Sequence, residues 1–124
     1  MSTGEDRDNI DFKMTPETGK VIASILSSKV HKEAIAILFD EAGNKDSEGR
    51  IGGLHFNEIW RRFSYSVSRT TLHRTIFELY KRDTILNNEP GQIITETGPK
   101  RVSVYRIKDE YLRIVKFLYP SLRP

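Results

Sequence analysis

Six residues that can donate or accept hydrogen bonds occupy one short stretch in the middle of the chain. They are Ser68, Arg69, Thr70, Thr71, His73 and Arg74. An arginine can bind O6 and N7 of guanine with two hydrogen bonds, and a threonine can bond a base edge or a phosphate, or place its methyl group against thymine. Side chains near the start of a helix can reach bases while its first backbone amides reach phosphate. The alternative is that these are ordinary exposed residues of a helix.

Two pairs of basic residues lie on either side of this stretch. Arg61 and Arg62 precede it, and Lys100 and Arg101 follow it in a segment that we predict to be the tip of a turn. For Arg61 and Arg62, the sequence supports contact with phosphate and simple solvation equally. For Lys100 and Arg101, we expect contact with phosphate or with the minor groove, and the alternative is a basic turn that only aids solubility.

The spacing of apolar residues predicts two short helices joined by a tight turn, and these helices must position the polar side chains. The first covers residues 55–63, and Ser68 is well placed to cap the second. The apolar faces that we expect in the core are Phe56, Ile59, Trp60 and Phe63 in the first helix and Leu72, Ile76 and Leu79 in the second. A base-stacking role for Trp60 is the lesser alternative.

Two further helices are predicted before this pair. Thr15 as the N-cap and Pro16 at the first helical position predict the start of one helix. The next covers residues 29–42, where a wide apolar stripe recurs at helical spacing, and Gly43 is a plausible stop. Either Ser27 and Ser28 cap this second helix, or the two segments run together as one.

After the helical pair the pattern becomes extended. Residues 87–91 contain proline and glycine and predict a break in the chain. Residues 92–97 and 102–107 then predict a β-hairpin. Asp109 is expected to cap a last helix that runs to about Tyr119.

Composition predicts one domain and an uneven distribution of charge. The chain has 124 residues, a net charge of +3 and no cysteine. Residues 54–82 contain six basic and two acidic residues, whereas residues 1–28 contain three basic and five acidic ones. We expect a flexible acidic tail over residues 1–14 and a single domain over residues 15–124. The local positive excess favours an anionic partner.

Several classes of function have no signal in the sequence. Without cysteine there is no disulfide framework and no thiolate metal site. The three histidines lack the i, i+4 spacing of a helical metal site, and there is no nucleotide-binding loop or nucleophile motif. We therefore expect no enzymatic activity, metal or cofactor, and the sequence identifies no small-molecule ligand. No apolar run approaches the roughly 20 residues that span a membrane, so the expected location is the cytoplasm.

The order of predicted elements resembles the winged helix-turn-helix family, in particular the MarR- and ArsR-like regulators. The resemblance covers residues 29–107 and is most specific in VSRTTLHRTIFELYKRDTI, residues 67–85. It implies an α+β, mainly helical fold with a two- or three-stranded wing and extra terminal helices. It also implies that Ser68 caps the recognition helix and that Lys100 and Arg101 lie at the tip of the wing. The positions that it implies face DNA are Arg69, Thr70, Thr71, His73 and Arg74.

Two positions depart from the family pattern. Asp83 and Thr84 follow the recognition helix where the family often has glycine, and we expect Asp83 to accept the left-handed conformation there. Phe77 occupies a position that is polar in many relatives. It either packs under the wing or is exposed for a partner.

These features predict a transcriptional regulator that binds double-stranded DNA. The apolar arc of the last helix either covers the N-terminal helix or pairs with a second subunit, and we favour a homodimer. That arc is formed by Tyr111, Ile114, Val115 and Leu118. The alternative function is a protein-binding adaptor of the same fold, which would use Phe77 and the terminal helix.

Overall fold

The first two helices begin where the sequence predicts them. In this computed structural model, which describes residues 14–45, 49 and 51–123, α1 is Pro16–Ile25 and α2 is Lys29–Ala42. Thr15 caps α1 by accepting a hydrogen bond from the Thr18 amide at 3.1 Å. Residues 26–28 separate the two helices, and Ser28 caps α2 through the His31 amide, also at 3.1 Å. The predicted tail, residues 1–14, lies outside the described residues except for Met14.

Helix α2 is the centre of the core. Its five consecutive residues Ala34, Ile35, Ala36, Ile37 and Leu38 are all buried. Five consecutive buried residues cover every side of the helix at its middle, and α1, α3, α4, α5 and the sheet all pack around α2 there. The elements that carry the candidate site are therefore held on one rigid support.

The helical pair consists of α3, Phe56–Arg61, and α4, Arg69–Phe77, which continues into a π-helical turn at Glu78–Arg82. Ser68 caps α4 by accepting from the Thr71 amide at 3.1 Å. The predicted core residues of this helix, Leu72, Ile76 and Leu79, are buried as expected. The opposite face, which carries the polar residues, is exposed.

Three antiparallel strands form the sheet, in the order β1-β3-β2. They are β1 at Leu54–His55, β2 at Leu86–Thr95 and β3 at Gly98–Ile107. The coarse expectation, an α+β fold that combines helices with a small antiparallel sheet, is confirmed.

The predicted break at residues 87–91 is wrong, because β2 runs through it without interruption. Pro90 is tolerated because β2 is an edge strand, where a missing N–H costs no ladder hydrogen bond. A Cβ atom on Gly91 would lie only 2.5 Å from Cγ2 of Val104. Glycine therefore leaves room for the Val104 side chain, and it does not mark a turn.

The position predicted for Lys100 and Arg101 at the tip of the hairpin is also wrong. Thr95 pairs with Gly98, so the turn closes two residues earlier than expected. Gly98 supports the tight turn with a φ of +115°, and the Thr95 hydroxyl donates to its carbonyl at 2.7 Å. Lys100 and Arg101 lie along β3, where they pair with Ile93 and Gln92.

The residue in the left-handed conformation after α4 is Thr84, with a φ of 54°, and not Asp83, with a φ of −96°. Asp83 instead accepts from Nε of Arg82 at 2.9 Å. The Thr84 hydroxyl donates to the Asp83 carbonyl at 2.7 Å. The turn therefore occurs without a glycine. The residue in the left-handed conformation is Thr84, one position later than predicted.

The predicted C-terminal helix is shorter and is flanked by two 3₁₀ turns. Helix α5 covers Leu112–Leu118, between turns at Asp109–Tyr111 and Tyr119–Ser121. Asp109 is not its cap, because Tyr111 occupies the N-cap position and makes no side-chain capping bond. Ile114, Val115 and Leu118 are buried in the same core as α2. These three residues of the apolar arc therefore pack within the chain. None of the described helices is both long enough and apolar enough to cross a membrane.

Candidate nucleic-acid interface

The exposed face of α4 carries Thr70, His73, Arg74 and Phe77, which recur every three or four residues. We call these four residues the front of α4. The side chains of Thr70 and Arg74 make no hydrogen bond or ion pair within the described part of the chain. The guanidinium of Arg74 therefore keeps all five of its N–H donors for another molecule.

Arg69 does not project freely from the start of α4. Its guanidinium carbon lies 4.7 Å from the centre of the Trp60 ring and 5.1 Å from that of Phe56. One of its amino groups donates to Oδ1 of Asn57 at 3.0 Å. The rings attract the cation through their negative faces. Arg69 is thus held against α3, with the rest of its donors still at the surface.

His73 is held by the same aromatic support. Its ring stacks on that of Phe56 with centroids 3.7 Å apart and an angle of 5° between the planes. Phe56 is itself partly buried against the core. The imidazole therefore has a fixed plane and presents an edge at the surface.

Trp60 corrects the prediction that the whole apolar face of α3 is core. Ile59 is fully buried, but 36% of Trp60 is exposed. Its indole N–H donates to the Val67 carbonyl at 2.7 Å. A helix of six residues presents only a narrow buried face. Trp60 lies at the edge of that face, and it stabilises the turn before α4 instead of entering the core.

Arg61 and Arg62 are both engaged by acidic residues. Arg61 contacts Glu58 at 2.6 Å, and Arg62 contacts Glu58 and Glu41 at 3.0 Å each. The hydrogen bond from Arg62 lowers the pKa of Glu58, and this effect exceeds the opposing effect of burial. The hydrogen bond to Glu58 in turn raises the pKa of Arg62. Two positive and two negative charges therefore cancel locally.

Lys100 and Arg101 are exposed on β3 and form no ion pair with any other described residue. Because successive residues of a strand point to opposite faces of the sheet, the two side chains leave the hairpin on different sides. The structure thus leaves unpaired cations on α4 and on β3, whereas the two arginines at the C-terminal end of α3, Arg61 and Arg62, are paired.

Two partly buried polar contacts that sequence analysis missed link α2 to the helical pair. Nε2 of His31 lies 2.8 Å from Oε1 of Glu78, in the π-helical turn after α4. Glu33, only 2% exposed, accepts from the Ser64 amide in the turn between α3 and α4. Both residues lie among the apolar positions of α2, and a charged residue at such a position requires a buried partner. That spacing is the signal that could have found them.

Comparison of the chain with family models, with curated proteins and with solved structures finds no match. No three histidine, aspartate or glutamate side chains within the described ranges are grouped so as to hold a metal ion.

Proposed function

We propose that this protein is a winged helix-turn-helix regulator of transcription that binds double-stranded DNA in the cytoplasm. The observation that carries the proposal is the set of unpaired cations on α4 and β3, Arg74, Lys100 and Arg101. The order α2, α3, α4 followed by the β2–β3 hairpin, with β1 paired to β3, supports the winged-helix arrangement.

In this proposal α4 enters the major groove with its front toward the bases. Arg74 and Thr70 contact base edges, and the first amides of α4 contact phosphate. Arg69 and His73 are held against Phe56, so less side-chain freedom is lost when they bind. Lys100 and Arg101 contact the phosphate backbone or the minor groove beside the hairpin. Arg61 and Arg62 lie beside Glu58 and Glu41, whose negative charges offset theirs, so they contribute least.

The proposal includes a homodimer on DNA. The apolar arc of α5 is not its interface, because three residues of that arc are buried within the chain. An open apolar groove of about 520 Å³ lies between α2 and α5, lined by Phe39, Leu112 and Tyr119 among others. Phe117 of α5 is 48% exposed. Sedimentation of the protein with a duplex tests this part. A complex of one protein chain per duplex at tens of micromolar would contradict the dimer.

A protein-binding adaptor is the second candidate, and the exposure of Phe77 favours it. Duplex binding across a salt series from about 50 to 200 mM separates the two functions. DNA binding releases counterions, so the logarithm of affinity should fall linearly with that of salt, by about 0.9 for each phosphate contact. Absence of duplex binding at the lowest salt would contradict the DNA-binding proposal and leave the adaptor.

A further inference from the structure

Phe77 is an unusual residue for the face on which it lies. It is 61% exposed and follows Arg74 by about one turn on the front of α4. The core does not require it, because Leu72, Ile76 and Leu79 already anchor the other side of the helix. Among the described residues, it is the one large apolar side chain on this front.

The charges around Phe77 restrict what could cover it. Arg74 is unpaired, and Lys81 is exposed in the next turn without an acidic partner among the described residues. An apolar protein surface over Phe77 would also bury the charge of Arg74, which is costly without a partner. A polyanion that also carries an apolar group would pair with the charge of Arg74 and cover the ring of Phe77. The major groove of DNA is such a surface, because thymine presents its C5-methyl group there.

We propose that Phe77 recognises the methyl group of a thymine in the binding site. This inference rests on the proposed DNA-binding function. The three residues from Arg74 to Phe77 advance about 4.5 Å along the helix axis, and successive bases are about 3.4 Å apart. With α4 lying along the groove, the thymine is therefore one or two base pairs from the base that Arg74 contacts.

Replacement of thymine by deoxyuridine tests the proposal, because it removes the methyl group and keeps every hydrogen-bonding atom. A preferred duplex is first selected from a random pool, and each thymine is then replaced singly. At one position the wild-type protein should lose about fourfold in affinity, the value of one buried methylene-sized group. The F77A variant should bind the thymine and deoxyuridine duplexes equally. The variant L26A, which changes an exposed apolar residue between α1 and α2, should keep the fourfold difference.

Three results would overturn the inference, and they differ from failure of the proposed function. Wild-type protein that binds every deoxyuridine duplex as tightly as the selected one excludes methyl recognition while DNA binding stands. An F77A variant that keeps the fourfold difference assigns the methyl contact to another residue. Absence of salt-dependent duplex binding removes the proposed function and this inference with it. The wild-type comparison does not depend on the folding of any variant.

Discussion

The arginines of α3 and the cations of α4 and β3 have the same formal charge but different surroundings. Arg61 and Arg62 share Glu58, and Arg62 also contacts Glu41. Arg74, Lys100 and Arg101 have no acidic partner among the residues that the structure describes. A cation beside a carboxylate attracts phosphate less strongly, because the negative charge of the carboxylate offsets its own. The number of basic residues in a segment therefore overstates the charge that the segment offers to a ligand.

The largest effect on binding is expected at Arg74. The R74A variant should weaken binding to a selected duplex by about 1–3 kcal/mol, because a bidentate contact with a base is lost. Its thermal unfolding should match that of the wild type, since the side chain is exposed and unpaired. The matched control is R61A, which removes an arginine of α3 and should have a much smaller effect on affinity. Equal affinities of R74A and wild type would remove Arg74 from recognition.

The next effect is expected on β3. Replacing Lys100 and Arg101 together by alanine should lower affinity for all duplexes alike. It should also reduce the slope of log affinity against log salt concentration by up to about 2. Because the two side chains leave opposite faces of the hairpin, each single variant should remove a separate contact, and the two reductions should add. A salt dependence identical to that of the wild type would mean that the hairpin stays off the DNA.

Loss of Arg62 should affect stability more than binding. The R62A variant leaves Glu58 and Glu41 without their shared partner, and exposed ion pairs are typically worth about 0.2–1 kcal/mol each. We expect a decrease of that order in the free energy of unfolding, measured with urea, and less than a twofold change in duplex affinity. If R62A instead reduced the salt dependence of duplex binding and left stability unchanged, the contrast between the paired Arg62 and the unpaired Arg74 would be wrong.

The smallest effect is expected in the pH dependence of stability. The pKa of Glu58 in the folded protein is lowered from its ordinary value of 4.5, chiefly by Arg62. Its contribution is therefore present above about pH 4.5 and is lost as the pH falls through the folded-state pKa. Urea unfolding at decreasing pH should show a smaller loss of stability in E58Q than in the wild type. R74A should follow the wild-type curve, and identical curves for E58Q and wild type would contradict the role of the ion pair.

Local sequence determined the helix starts and the buried face of α4. Thr15, Ser28 and Ser68 each cap a helix through an amide three residues later, an interaction contained within one turn. The apolar spacing of α4 likewise identified the residues that are buried. Such features are predictable because every group involved lies within a few residues along the chain.

Tertiary structure alone decided the extent of the hairpin and the pairing of charges. In the sequence, Gly91 looks like a turn residue. Only the tertiary structure shows that it lies in a strand with the Val104 side chain against it. Trp60 shares a helical spacing with core residues, but it stays partly exposed and its indole N–H bonds to the Val67 carbonyl. Arg62 reaches Glu41 across 21 positions of sequence, and no local pattern specifies that distance. The residues proposed to face DNA could thus be named from the sequence, whereas which of their charges are free depends on contacts between elements that only folding brings together.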